Sequence, residues 1–326
     1  LCKRSRLEFM YYNPVEVIET NNWLAELQNQ KEKLNITSPI IITSTGNRKR
    51  LNLNSIFEPE AIVDNINTHP SFDDCNRIIQ FCQEKIFDGV IAIGGGSIMD
   101  LAKVAVAHVC LELTNIYDLI SFNNNYPKTI PSIFLPTTHG TASEVTMWGT
   151  IWDMDEKKKY SISHPDLYPN TAILDGNLTL SLPVDISIIT VMDALSHSFE
   201  SIWNKNSNVT STENAIKAIS IILQNVETFK ENISSVNIRA KLLEASATAG
   251  LAFSNTKTAA AHSISYPLTI FYGIPHGIAS SMSLLPLLEI NKKLIHDSLN
   301  RICENNELTY EQLIEKIQSI PQGVIP

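Results

Sequence analysis

In the N-terminal part of the chain, short β-branched runs alternate with stretches whose apolar residues recur at helical spacing. Pro39–Ser44 (PIIITS) reads as a buried strand followed by a turn at Thr45-Gly46-Asn47. Pro70–Glu84 carries helical spacing, and Gly89–Ile93 (GVIAI) is a second strand that runs straight into Gly94-Gly95-Gly96-Ser97. A helix is expected from Ile98 to Leu111, and Ser132–Leu135 (SIFL) forms a third strand that enters the small, polar stretch Pro136–Glu144. Strands alternating with helices predict a largely parallel sheet covered on both faces. After Pro183 the texture changes to long amphipathic patterns: Val184–Trp203, Ser211–Asn232, Val236–Ser265, His276–Leu299 and Tyr310–Ile320. The expected division is an α/β domain over residues 1–183 and an all-helical domain over 184–326.

Composition narrows the class. The chain has 326 residues, with 44% hydrophobic and 18% charged, which gives ample core for about two domains. A net charge of −9 argues against a nucleic-acid or anionic-membrane partner. Five scattered cysteines (Cys2, Cys75, Cys82, Cys110, Cys303) form no CxxC and point to reduced thiols in a cytoplasmic protein. No apolar run approaches the ~18 residues of a membrane span, and the N-terminus shows no signal-peptide pattern. The chain opens on Leu1 and stops at IPQGVIP, so a truncated C-terminus is expected.

Two features carry chemistry. Gly94-Gly95-Gly96-Ser97, between a strand and a helix, lets backbone N–H groups approach a pyrophosphate at a helix N-terminus. It also fits a plain tight turn. Thr137, Thr138 and Thr141 add hydroxyls at the end of another strand, where open α/β sheets bind ligands. Lys159 is within reach of a phosphate or simply of solvent. The second feature is Asp193 and His197, four apart in a helical run and so on one face. They form either an ordinary hydrogen-bonded pair or two ligands of a divalent metal. His262, which also fits a plain core or rim residue, and His276 could complete an Asp-His-His-His set, a donor mixture suited to Fe(II) or Zn(II).

Five blocks in order, GGGSIMDLAK (Gly94–Lys103), PTTHGTASEVT (Pro136–Thr146), MDALSHSFES (Met192–Ser201), GLAFSNTKTAAAHSISYPL (Gly250–Leu268) and GIPHG (Gly273–Gly277), resemble the iron-dependent (group III) alcohol dehydrogenase family. The resemblance implies a Rossmann-like dinucleotide-binding domain and a helical metal-binding domain, an architecture shared with the dehydroquinate synthases. It places the metal ligands on Asp193, His197, His262 and His276. It places cofactor contacts on Gly94, Gly95, Gly96 and Ser97 and on Thr137, Thr138 and Thr141; Asp100 and Lys159 stand beside these as further candidates. Homo-oligomers are also implied.

Three positions depart from the family pattern. Tyr266 replaces a second histidine after the third ligand; as candidate catalytic residue it shares the proton-donor role with His139 or water. Ser44 stands where members selecting NAD often carry Asp, so with Arg48 or Lys49 nearby the chain is open to NADPH as well as NADH. His69-Pro70 replaces the usual Asn-Pro of a ribose contact.

The implied activity is metal-dependent, NAD(P)H-linked interconversion of a small aldehyde and its primary alcohol. Within the family the chain looks most like phosphonoacetaldehyde reductases, which form 2-hydroxyethylphosphonate. Within the metal-binding blocks the one cation is Lys257, and Arg239 lies farther off in sequence; both also fit plain solvent-facing positions. The alternatives are a general alcohol or glycerol dehydrogenase, a lyase of the same fold, and a non-catalytic truncated relic.

Overall fold

The computed structural model describes residues 11–66, 70–121 and 130–325. Cys2 and His69, and with it the ribose expectation, lie outside these residues.

The sheet is built from β1 (Glu16–Glu19), β2 (Pro39–Thr43), β3 (Ile62–Val63), β4 (Gly89–Gly94) and β5 (Ser132–Pro136). A hairpin of β6 (Trp148–Asp153) and β7 (Lys158–Ser163) follows, and β8 (Thr171–Leu174) returns to the sheet. Six strands pair in the order β1-β8-β5-β4-β2-β3, every contact parallel, while β6 and β7 form an antiparallel hairpin of their own. Helices α1 (Trp23–Lys33), α2 (Thr45–Arg50), α3 (Phe72–Gln83), α4 (Gly96–Leu111) and α5 (Ile116–Ile120) link the strands.

The run Ile40-Ile41-Ile42 shows why these strands lack a polar face. Ile40 and Ile42 pack with Val90, Phe134 and α4, whereas Ile41 joins Ile91, Ile133 and Leu27 of α1 on the opposite side. Both faces are covered, as parallel sheets require.

From Pro183 on, only helices occur among the described residues: α6 (Val184–Trp203), α7 (Val209–Glu231), α8 (Val236–Thr256), α9 (Ala260–Tyr272), α10 (His276–Met282), α11 (Leu284–Asn291), α12 (His296–Asn305) and α13 (Tyr310–Ser319). Ile188, Leu195 and Phe199 of α6 interlock with Ile219 and Leu223 of α7 and Leu242 and Ala249 of α8, all buried. No helix among the described residues is long and apolar enough to cross a membrane.

The structure corrects three local expectations. The turn expected at Thr45-Gly46-Asn47 is the start of α2, because Ser44 ends the strand and its Oγ caps the Asn47 N–H at 3.2 Å. The helix expected over Val236–Ser265 breaks after Thr256, where Lys257 takes φ +66°. The stretch His276–Leu299 forms three short helices rather than one. The hairpin and strands β1 and β8 went unread. β1 is the short segment EVIE, and its partner lies more than 150 residues away, from Glu16 to Thr171.

Candidate metal centre and nucleotide cradle

The cradle forms where β4 and β5 end side by side. Gly94 pairs with Pro136 in the sheet register, and Thr137 N–H donates to Gly94 O at 3.0 Å. Both loops therefore leave the sheet at the same level. A Cβ at Gly95 would meet Thr138 Cγ2 at 3.0 Å, and one at Gly96 would meet Thr141 Oγ1 at 2.8 Å. The bare glycine backbone is what lets the threonine loop settle over the first turn of α4, whose N–H groups form an anion-binding end.

Asp100 behaves differently from the other cradle candidates. Its carboxylate accepts from Ser143 Oγ at 2.7 Å and from the Thr150 N–H at 2.8 Å, tying α4 to the hairpin. Beside it the fully buried Lys103 donates to Ser143 O, Ser143 Oγ, Thr146 Oγ1 and Trp148 O. Burial pushes the Lys103 ammonium down to about 8.

The metal candidates converge from three helices. On α6, Asp193, His197 and Glu200 follow at i, i+4 and i+7, one stripe of the helix. His262 lies in the first turn of α9. That helix closes on Gly273 in the left-handed region (φ +67°), and Ile274-Pro275 turns the chain so that His276 opens α10. Gly277 then lies against α6, where a Cβ would come within 2.2 Å of the Ile189 carbonyl oxygen.

Within this arrangement His262 Nε2 is 3.4 Å and His276 Nε2 is 3.9 Å from Asp193 Oδ1. Asp193, His262 and His276 together offer ligand atoms within 4.8 Å of one another. His197 does not join that group of atoms. Its ring is sandwiched between Phe253, at 4.1 Å and 12°, and His262, at 4.2 Å and 19°.

The donor set fits a divalent metal. It comprises one buried carboxylate and three imidazoles, and among the described residues His197 Nδ1 and His262 Nε2 are buried without a hydrogen-bond partner. Burial alone raises Asp193, yet His197, His276 and His262 around it hold the carboxyl far below its usual range. Burial lowers His262, but the Asp193 and Glu200 carboxylates outweigh that and lift it to about 9. His197, desolvated beside His262, falls to about 3 despite Asp193.

Two groups at this centre escaped the sequence reading. Glu200, fully buried, meets His262 Nδ1, and Ser280 Oγ donates to Asp193 Oδ1 at 2.8 Å. Glu200 had a legible signal: it is a carboxylate on the buried stripe of a helix that already carries Asp193 and His197. Ser280 had none.

Tyr266 lies at the rim, half-buried, its ring parallel to that of His276 (5°, 6.3 Å). Lys159 projects from β7 with Nζ 3.5 Å from the Tyr266 ring centroid. Burial lowers this ammonium to about 8, with Asp100 and Asp193 opposing the shift.

His139 is placed unsuitably for proton donation. It is 0% exposed, its ring is 6.1 Å from that of Phe229, and neither nitrogen has a hydrogen-bond partner among the described residues. Burial, with Arg239 nearby, lowers it to about 3, so it carries no proton near neutrality. Arg239 is buried too, donating to the carbonyls of Thr179, Leu182 and Ile233. Lys257 is exposed at the end of α8. Arg48 is engaged by Asp64, Asn54 and the Pro59 carbonyl.

Known proteins resemble this chain over much of its length. The chain is 32% identical to the probable alcohol dehydrogenase EutG of Escherichia coli over 71% of its length, and 34% identical to long-chain-alcohol dehydrogenase 1 of Geobacillus thermodenitrificans over 67%. These matches span 58% and 55% of the two relatives, so the chain spans little more than half their length. Among solved structures, a 1,3-propanediol oxidoreductase superimposes with a TM-score of 0.88 at 24% identity, covering 98% of this chain and 87% of that one; this likeness is one of fold. The sulfoacetaldehyde reductase of Bifidobacterium kashiwanohense, solved in complex with NAD⁺, gives 0.80 at 27% identity, covering 96% and 92%. The sequence model described as iron-containing alcohol dehydrogenase matches residues 14–176, and that of the family's C-terminal part matches 187–320. With glycine cradle and Asp-His-His-His cluster both in these matched regions, the chain belongs to the iron-containing alcohol dehydrogenase family.

Proposed function

We propose that the protein interconverts a small aldehyde and its primary alcohol, using NADH or NADPH and a divalent metal, Fe(II) or alternatively Zn(II). The observation that carries this reading is the convergence of buried Asp193 and His262 with rim-placed His276, His197 stacking on His262, around α6, the helix that braces the threonine loop. In this reading the nucleotide-binding and metal-binding parts divide near residue 183, and all four side chains are ligands.

A bound metal of this class polarises a carbonyl oxygen and the reduced nicotinamide supplies hydride. The chain's own residues provide position and dryness. Gly95, Gly96, Thr138 and Thr141 hold the pyrophosphate on the first turn of α4. The Phe253–His197–His262 stack closes the floor of the site to water. Tyr266 holds a phenolic proton at the rim, where burial raises its pKa and so keeps it protonated near neutrality.

The finer reading is an anionic two-carbon aldehyde, phosphonoacetaldehyde. Lys159 supports it: this largely buried ammonium forms no ion pair among the described residues and lies over Tyr266. The likeness to a sulfoacetaldehyde reductase supports the same class. Assembly into a homo-oligomer belongs to this proposal and stands on the resemblance alone.

The test is a spectrophotometric assay with protein reconstituted anaerobically with Fe(II) or Zn(II). NADH or NADPH is supplied with phosphonoacetaldehyde, acetaldehyde or lactaldehyde. Preference for phosphonoacetaldehyde supports the anionic substrate; turnover of neutral aldehydes alone leaves a general alcohol dehydrogenase. Absence of nicotinamide oxidation with every metal and aldehyde overturns the reductase reading and favours a same-fold lyase or a non-catalytic chain.

A further inference from the structure

Helix α9 begins without a cap of its own. Its N-cap is Ala259, which offers no side-chain acceptor, and the first residues are Ala260, Ala261 and His262. The first-turn N–H groups of such a helix need an outside acceptor when buried. Glu200 supplies it from α6. Its Oε1 accepts from the Ala261 N–H at 2.7 Å and lies 3.4 Å from the His262 N–H, while Oε2 meets Nδ1 of the His262 ring. One buried carboxylate thus caps the helix and grips the imidazole that the helix carries.

An ionised carboxylate only accepts hydrogen bonds, so the imidazole nitrogen that meets Glu200 must donate. The contact keeps a proton on His262 Nδ1 and leaves Nε2 as the nitrogen turned toward Asp193 Oδ1. We propose that Glu200 is a positioning residue for metal binding: it fixes the tautomer and aim of His262, and metal affinity depends on it. This rests on His262 being a ligand. A carboxylate behind a ligating histidine typically changes affinity by about 10–100-fold when removed.

Glu200→Gln is the informative substitution. Glutamine has a single acceptor oxygen, so its NH₂ group must face either the imidazole Nδ1 or the backbone N–H groups, a donor against a donor. Zn(II) affinity is read by competition with a chromophoric chelator, and ¹⁵N-histidine spectra of the Zn(II)-loaded protein show which His262 nitrogen holds the proton. The expected result is a proton on Nδ1 in the wild type, Zn(II) binding about 10–100-fold weaker in Glu200→Gln, and partial recovery in Glu200→Asp.

A purely capping role would lower the Tm of the metal-free variant and leave Zn(II) affinity within about twofold; that outcome overturns the proposal. Should Glu200→Gln not fold, the wild-type spectrum decides, since zinc on Nδ1 or no proton there is equally contrary. His262→Ala separates the two readings. Unchanged zinc binding in that variant defeats the ligand assignment itself, whereas loss there with retention in Glu200→Gln defeats only the role of Glu200.

Discussion

Gly140 lies directly against Thr190: a Cβ at residue 140 would come within 2.4 Å of the Thr190 carbonyl oxygen. The adjoining His139 N–H donates to Thr190 Oγ1 at 3.2 Å. Thr190 precedes Asp193 by about one turn of α6. The loop that leaves the sheet beside the glycine cradle is thus seated on the helix that carries Asp193 and His197.

Gly140→Ala should force that seat apart. Because backbone rather than a flexible side chain opposes the new methyl, we expect a loss of about 1–3 kcal/mol in urea unfolding. The KM values for cofactor and aldehyde should rise together, since one displacement moves both subsites.

Gly95→Val should act more narrowly. The new side chain would press on Thr138 and block approach to the first turn of α4. Cofactor Kd, read by quenching of protein fluorescence, should weaken by about tenfold or more, the scale of one lost charge-assisted contact. Zn(II) affinity should stay as in the wild type. Unchanged cofactor affinity would remove the cradle from the account.

The amount that was legible in the sequence follows from the range of the interactions. Helix α6 was read with its observed ends, because Pro183 and the apolar stripe around Leu195 and Phe199 are local signals. The convergence of His262 and His276 on Asp193 was inferred from resemblance, since their spacing in the chain says nothing about which helices fold back. The break at Lys257 was missed because no glycine or proline marks it. The stripe of α6 marks Glu200 as buried, but its hold on α9 is illegible because its partners, Ala261 and His262, are about 60 residues away.

His139 gives the fold a definite acid sensitivity. An unfolded chain titrates this imidazole near 6.5, whereas burial, with Arg239 nearby, lowers it to about 3 in the folded protein. Between those values the unfolded state binds the additional proton, so this contribution is intact above pH 6.5 and is lost progressively as pH falls toward 3. His139→Phe should flatten the fall of the urea midpoint over that interval. A slope identical to the wild type would show that His139 is protonated, or exposed, in the folded state.

Phe253 supports the centre from beneath by stacking on His197 at 4.1 Å. Phe253→Ala should cost about 3–5 kcal/mol, the usual range for an aromatic residue removed from a core. It should also weaken Zn(II) binding by freeing the His197 ring. Phe253→Leu, which keeps most of the volume, should restore stability more fully than metal affinity.

The central claim is that Asp193, His197, His262 and His276 hold one divalent metal on which turnover depends. Its most direct test is the metal content of Fe(II)- or Zn(II)-reconstituted protein, measured by plasma mass spectrometry beside aldehyde-dependent NAD(P)H oxidation in the same samples. His276 is one-third exposed at the rim, so His276→Ala can empty the site while the core stays packed. The wild type should hold about one metal per chain, and both His262→Ala and His276→Ala should lose it together with activity, His276→Ala with a near-native unfolding transition. Either variant retaining metal and wild-type turnover would contradict the claim.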